Sequence, residues 1–196
     1  MNDKRYEIRF SGSGGQGIIT AAVIYAEAVA SVKDRYVCQT QSYGPEARGG
    51  KSKAEVVVSG EPIDYPKPLQ LDLLLAMNQA ACDAYFFDLK PSGLLVVDST
   101  LVEQVPTSRV VAIPFTAIAK EEIGKKLVAN MVALGAVGKL SGQVPLPALE
   151  KALLARVPPG TEEMNKKALS RGIEEAGKIK LETLPRSVMV DEEEEV

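Results

Sequence analysis

The sequence predicts an α/β fold: a mostly parallel sheet with helices on both faces and a helical C-terminal part. Three observations carry this reading. Short apolar runs of strand length alternate with helix-length segments as far as residue 113. A glycine-rich segment follows each of the first two runs, at the strand ends where ligands bind in such folds. Beyond Pro114 the remainder is helical in character.

Tyr6–Phe10 reads as the first strand and Ile18–Val32 as a helix, apolar nearly all round and therefore well buried. Arg35–Thr40 reads as the second strand, followed by a loop from Ser42 to Gly50. Ala54–Val58 is a third strand. Lys51, Lys53 and Glu55 alternate there with small or apolar neighbours, which suits a sheet edge. Gly60–Pro68 holds three prolines and reads as a turn. Leu71–Met77 is a buried parallel strand, Asn78–Leu89 a helix, Leu94–Val97 a strand, and Val110–Ile113 the last strand before Pro114. Helices are expected over Thr116–Glu122, Lys125–Leu140 and Pro147–Arg156, and from Thr161 to about Ile179. Thr161 caps the last of these, with Glu162 and Glu163 in its first turn. Residues 185–196 read as a disordered tail.

Composition excludes several classes of chemistry. There is no histidine, which removes histidine triads, histidine-ligated zinc and imidazole proton shuttles. Two cysteines, Cys38 and Cys82, are too few for a four-thiolate zinc site or an iron–sulfur cluster, and both read as buried or inert thiols. The net charge of −3 is concentrated in Asp191 and Glu192–Glu195; without those five the balance is 23 basic against 21 acidic side chains. No basic footprint for nucleic acid is present, and with no tryptophan there is no base-stacking platform. No apolar run reaches the roughly 18 residues that span a bilayer. Met1–Arg5 leads into no signal-type segment, so a cytoplasmic protein is expected.

Gly12, Gly14 and Gly17 form G-x-G-x-x-G between a strand and a helix, the context in which that pattern suits an anion. The dinucleotide version fails, because the second strand ends Cys38-Gln39-Thr40-Gln41 without the acid that holds a ribose. A nucleoside-triphosphate loop fails as well, for lack of a lysine followed by serine or threonine after Gly17. A tight turn that needs glycine only for packing is the bland alternative. In the second segment, Gly44-Pro45 and Gly49-Gly50 flank Glu46 and Arg48, with Tyr43 beside them. Arg48 could hold a carboxylate or phosphate in bidentate fashion, or the segment could be a solvated loop with an ordinary ion pair. Asp98-Ser99-Thr100 and Asn78 read as caps or turns, and Lys166, Lys167 and Arg171 as a solvated helix face. Glycine loops without a nucleophile–base pair point to a binding or scaffolding part of something larger.

The two loops together carry a signature. Gly-Ser-Gly-Gly-Gln-Gly at 12–17, then Gln-Ser-Tyr-Gly-Pro-Glu-Ala-Arg-Gly-Gly at 41–50, resembles the gamma subunit of 2-oxoacid:ferredoxin oxidoreductases. Ile63–Pro66, Leu71–Asn78, Val97–Ser99 and Asn130–Gly135 agree with it, so the resemblance spans roughly residues 5–180. It implies a gamma-type domain over 1–184, the acidic tail at 185–196 lying outside the family pattern. It implies alpha, beta and often delta partner subunits that oxidatively decarboxylate a 2-oxoacid, transfer the acyl group to coenzyme A (CoA) and reduce ferredoxin. Thiamine diphosphate, Mg and 4Fe-4S clusters are then held by the partners, and no catalytic residue or metal ligand by this chain. CoA contact falls on Gly12, Ser13, Gly14, Gly15, Gln16 and Gly17, and on Ser42, Tyr43, Gly44, Glu46, Arg48, Gly49 and Gly50.

The form of the second loop is most like the 2-oxoglutarate branch. Pyruvate, 2-oxoisovalerate and aryl-pyruvate branches, or a purely structural subunit, are the alternatives, with a stand-alone nicotinamide or flavin oxidoreductase behind them.

Overall fold

The computed structural model describes residues 5–43 and 51–186. Gly44, Glu46, Arg48, Gly49, Gly50 and most of the acidic tail lie outside the described residues.

Among the described residues, six strands form one sheet in the order β2-β3-β1-β4-β5-β6: β1 (Tyr6–Ser13), β2 (Tyr36–Tyr43), β3 (Lys51–Ser59), β4 (Leu71–Ala76), β5 (Leu89–Asp98) and β6 (Val110–Ile113). The pairings β1–β4, β4–β5 and β5–β6 are parallel, whereas β3 runs antiparallel to both β1 and β2. The sheet is thus mostly parallel, as expected, with one reversed strand.

That strand corrects the sequence reading. β3 is not an edge; it lies between β2 and β1, and β2 is the edge. The charges that suggested an edge serve a different purpose. Glu55 pairs with Arg9 on neighbouring β1 at 2.6 Å, and Lys53 reaches Glu55 at 3.2 Å. Arg9 and Glu55 are both buried, and the guanidinium lies 4.9 Å from the ring of Tyr85.

Helices do lie on both faces, unequally. α1 (Ile18–Ala30), α3 (Phe115–Glu121), α4 (Ala129–Ser141), α5 (Leu146–Arg156) and α6 (Glu162–Gly177) share one core with Ile8, Phe10, Val56, Leu73, Leu75 and Val96. On the other face, among the described residues, α2 (Gln79–Tyr85) is the one α-helix that packs, through Ala81 and Cys82 onto Leu74, Ala76, Leu95 and Val97. These are alternate residues of the same strands, as a pleated strand buried on both faces requires.

Boundaries differ in ways that have local causes. β1 and β2 each run three residues further than expected, because β3 supplies a ladder partner up to Ser13 and Tyr43. The helix expected to reach Leu89 ends at Tyr85, passes through a 3₁₀ turn at Phe86–Asp88, and β5 begins at Leu89. Thr161 precedes α6 but does not cap it with its side chain; its hydroxyl donates to Pro158 O at 2.7 Å. Asn78 does cap α2, accepting from Ala81 N at 2.9 Å. Asp98, fully buried, accepts from Thr100 N and from both the backbone N–H and the hydroxyl of Thr116 at the start of α3.

Lys166, Lys167 and Arg171 are more than a solvated face: Lys166 meets Glu150, Lys167 donates to Glu122 O, and Arg171 meets Glu122, Glu174 and Glu175. Cys38 and Cys82 are both free.

Candidate functional site

β1 and β4 are parallel neighbours whose connections leave in opposite directions. From β1 the chain crosses on one face through α1 to β2; from β4 it crosses on the other through α2 to β5. The crevice beyond the carboxyl ends of β1 and β4 is therefore the topological switch point, where ligands bind in open α/β sheets.

The first glycine segment stands at that point. Its first residues are still strand, with Gly12 opposite Ser52 and Ser13 opposite Lys51. The turn proper is Gly14–Gly17. Gln16 is its internal strut. Its Oε1 accepts from Ser13 N at 2.7 Å, from Ser13 Oγ at 3.0 Å and from Asn78 Nδ2 at 3.0 Å, while its Nε2 donates to Met77 O at 3.1 Å. The strut occupies the space beside Gly12, where a β-carbon would lie 2.6 Å from Gln16 Oε1.

Gly15 and Gly17 are glycines for their backbone: φ is +89° and +70°, in the left-handed region. Nothing lies within 4 Å of a β-carbon at Gly15, so the crest of the turn faces open space. Gly17 opens α1 with no side-chain cap, which leaves the first amides of α1 available to an anion.

Beside the crest is a cavity of about 300 Å³, lined by Gly15, Gln16, Met77, Thr116, Lys126 and Leu127, among others. Lys126 and Leu127 are exposed on its rim. A depression of about 500 Å³ among Arg5, Ser59 and Tyr65 lies at the other end of β1, away from the switch point.

Of the sequence-predicted site residues, Gly14 and Gly15 are exposed at the crest, while Gly12, Ser13 and Gln16 build its base. Ser42 is exposed near the end of β2, in register with Lys53 and through it with Ser11. It sits two strand spacings, about 10 Å, from β1. Tyr43 ends β2 opposite Ser52, so the carboxyl end of β2 lies at the same end of the sheet as the glycine turn.

Sequence reasoning missed Asn130. Its Nδ2 donates to Gly17 O at 3.0 Å, fixing the turn from α4. An asparagine in the first turn of a helix whose next eight residues are apolar or glycine was the available signal. Among the described residues, no group of three or more His, Cys, Asp or Glu is placed to hold a metal ion. No helix among them is long and apolar enough to cross a membrane.

Comparison with known proteins gives a consistent picture. The family profile described as pyruvate ferredoxin/flavodoxin oxidoreductase matches residues 7–175. The 2-oxoglutarate synthase subunit KorC of Methanocaldococcus jannaschii is 50% identical over 179 residues, 89% of this chain and 96% of that protein. KorC of Methanothermobacter marburgensis is 45% identical over 178 residues, 87% and 96% of the two chains.

Among solved structures, the keto/oxoacid ferredoxin oxidoreductase gamma subunit of Geobacter sulfurreducens matches with a TM-score of 0.80 and 48% identity, over 89% of this chain and 99% of that one. The 2-oxoglutarate:ferredoxin oxidoreductase of Magnetococcus marinus, solved with 2-oxoglutarate, coenzyme A and succinyl-CoA bound, matches with a TM-score of 0.80 and 25% identity. That match covers 96% of this chain and 33% of the longer one.

Proposed function

The chain belongs to the pyruvate ferredoxin/flavodoxin oxidoreductase family, as a subunit of a 2-oxoacid:ferredoxin oxidoreductase, and we propose that it is the gamma subunit of a 2-oxoglutarate-specific complex and encloses CoA there. In that reaction 2-oxoglutarate loses CO2, its acyl group passes to the CoA thiol as succinyl-CoA, two electrons go to ferredoxin and a proton is released. Alpha, beta and delta subunits carry the thiamine diphosphate, Mg and 4Fe-4S clusters, and the assembly works in the cytoplasm.

The observation that carries the CoA contact is the crest at Gly15. It is open, its backbone is preset at φ +89°, and it stands between an uncapped helix start and the cavity bordered by Lys126. These features suit a diphosphate. Met77, Leu127 and Ala129 supply apolar wall for an extended arm beside it. This chain's part is to bind, orient and shield; thiamine diphosphate on the partners supplies the decarboxylation chemistry. The preference for 2-oxoglutarate is supported by the two KorC relatives.

The test is anaerobic purification of the tagged chain from its host. Expected are co-purifying thiamine- and cluster-binding chains, ferredoxin-linked oxidation of 2-oxoglutarate, and a higher KM for CoA in Gly15→Val complexes with thiamine content unchanged. An unaltered KM for CoA would overturn the contact and leave a purely structural subunit. Faster turnover of pyruvate would overturn the substrate.

A further inference from the structure

On the face of the sheet that α2 covers, a groove of about 330 Å³ runs between that helix and the loop leading into β6. Asp83, Phe86 and Phe87 line one side, and Gln104, Val105 and Pro106 the other. It shares no residue with the cavity beside the glycine turn.

The groove is preformed. Gln79 ties its two sides together: Nε2 donates to Asp83 Oδ1 at 2.7 Å and to Gln104 O at 2.8 Å, and Oε1 accepts from Glu103 N and Gln104 N, each at 3.0 Å. Phe86 is 7% exposed and sits in the small core under α2. Phe87, next in the chain, is 86% exposed, the most exposed large apolar side chain among the described residues. Val105 in the opposite side is 39% exposed. A rigid groove with a phenylalanine ring held out to water is a surface that suits association.

Charge narrows what fits. Asp83 lines the groove and Glu103 directly precedes Gln104; both are exposed, and neither has an ion-pair partner among the described residues. No lysine or arginine lines the groove. Asp88, next to Phe87, is paired with Arg9. These carboxylates repel the chain's own Asp191 and Glu192–Glu195, and a face-to-face pairing with a second copy would set Asp83 against Asp83. A different subunit fits better. In the Magnetococcus marinus relative the matching domain is 33% of a longer chain, so there it continues into further protein.

We propose that this groove docks a segment of a partner subunit that presents an apolar side chain to Phe87 and Val105 and a flanking lysine or arginine to Asp83. An arginine in that place also meets the face of the Phe87 ring. The arrangement is an aromatic anchor with a charged rim. This rests on the reading that the chain works inside a multisubunit oxidoreductase, and adds the surface by which it joins.

The test uses the purified complex. With the photoreactive p-benzoylphenylalanine in place of Phe87, irradiation should join this chain to another subunit, in a peptide with lysine or arginine close to the attachment point. Phe87→Ser should raise the concentration at which the complex dissociates about tenfold, with Tm of the isolated chain unmoved. Asp83→Asn keeps the acceptor that Gln79 uses, and should flatten the dependence of dissociation on salt. A photo-adduct to a second copy of this chain, or to no subunit, would overturn the proposal. So would a Phe87→Ser complex that dissociates at the unaltered concentration. Unchanged salt dependence in Asp83→Asn would overturn the basic character of the partner. A chain that purifies without any other subunit would overturn the reading beneath the proposal instead.

Discussion

The side-chain amide of Asn130 donates to the carbonyl of Gly17 at 3.0 Å, joining the start of α4 to the residue where the glycine turn becomes α1. Gly17 O also accepts from Ala21 N at 3.1 Å, so deleting the asparagine leaves no orphaned carbonyl. Asn130→Ala should therefore cost about 1 kcal/mol, one hydrogen bond's worth. Gly17→Ala should cost more. Its φ of +70° disfavours a side chain by about 1–2 kcal/mol, and the new β-carbon would lie 2.3 Å from Asn130 Nδ2. The two changes share that clash, so the double variant should lose less than the sum of the singles. Urea unfolding of the four proteins checks this; strict additivity would mean that the turn and α4 are independent.

A second prediction concerns Arg9 and Glu55. Both are buried, and they pair at 2.6 Å against the ring of Tyr85 at the end of α2. Arg9→Met leaves Glu55 buried with Lys53 at 3.2 Å and the Thr40 hydroxyl at 3.4 Å, and should cost about 3 kcal/mol. Arg9→Met with Glu55→Leu should recover much of that, because the desolvation of both charges is removed together. A double variant weaker than Arg9→Met would show that the pair is net stabilising. Denaturant midpoints at constant slope are the readout.

That pair also explains what was and was not legible in the sequence. The β1–turn–α1 unit could be read because everything it needs is local: a strand, then glycines, then an apolar helix. The position of β3 could not. Lys51, Lys53 and Glu55 alternate as an edge strand's residues do, and the partner that makes Glu55 interior, Arg9, lies 46 residues away. Gln16 reads as a ligand contact because it sits among glycines; that its amide also closes the turn onto Met77 and Asn78, residues of the β4–α2 junction, is visible only in the fold. Asn130 acts on the start of α1 only after α4 has packed there, and no spacing along the chain announces that.

The packing of those two helices yields a third prediction. A β-carbon at Gly172 of α6 would lie 1.8 Å from Val132 O in α4, and one at Gly135 of α4 would lie 2.1 Å from Leu169 O in α6. Both obstacles are backbone, so no rotamer change relieves them. Gly172→Ala should cost about 3 kcal/mol or more despite the gain in helix propensity. Gly177→Ala, at the end of the same helix with nothing within 4 Å, serves as the control and should be neutral or mildly stabilising. Thermal unfolding separates the two, since 1 kcal/mol moves Tm by about 2–4 °C in a domain of this size. Equal midpoints would refute the close crossing.

The last prediction is an alkaline one. Burial, with Asp83 adding to it, pushes the Cys82 thiol up to about 11, and burial likewise raises the hydroxyls of Tyr6 and Tyr25. In each case the folded chain holds its proton more tightly than the unfolded chain. The associated stability is complete below the unfolded value, near 9 for a thiol and near 10 for a tyrosine. It is lost as pH rises from there through the folded value. With no histidine, no imidazole titrates near neutrality. Denaturation at a series of pH values should therefore show a decline beginning near pH 9 and steepening above 10. Cys82→Ala should delay the onset to the tyrosine range while leaving the steeper part in place. If the variant declined from the same pH with the same slope, the thiol would not be the group responsible. Labelling with a thiol reagent at pH 8 gives a direct check: half-buried Cys38 should react in the native protein, and Cys82 only on unfolding.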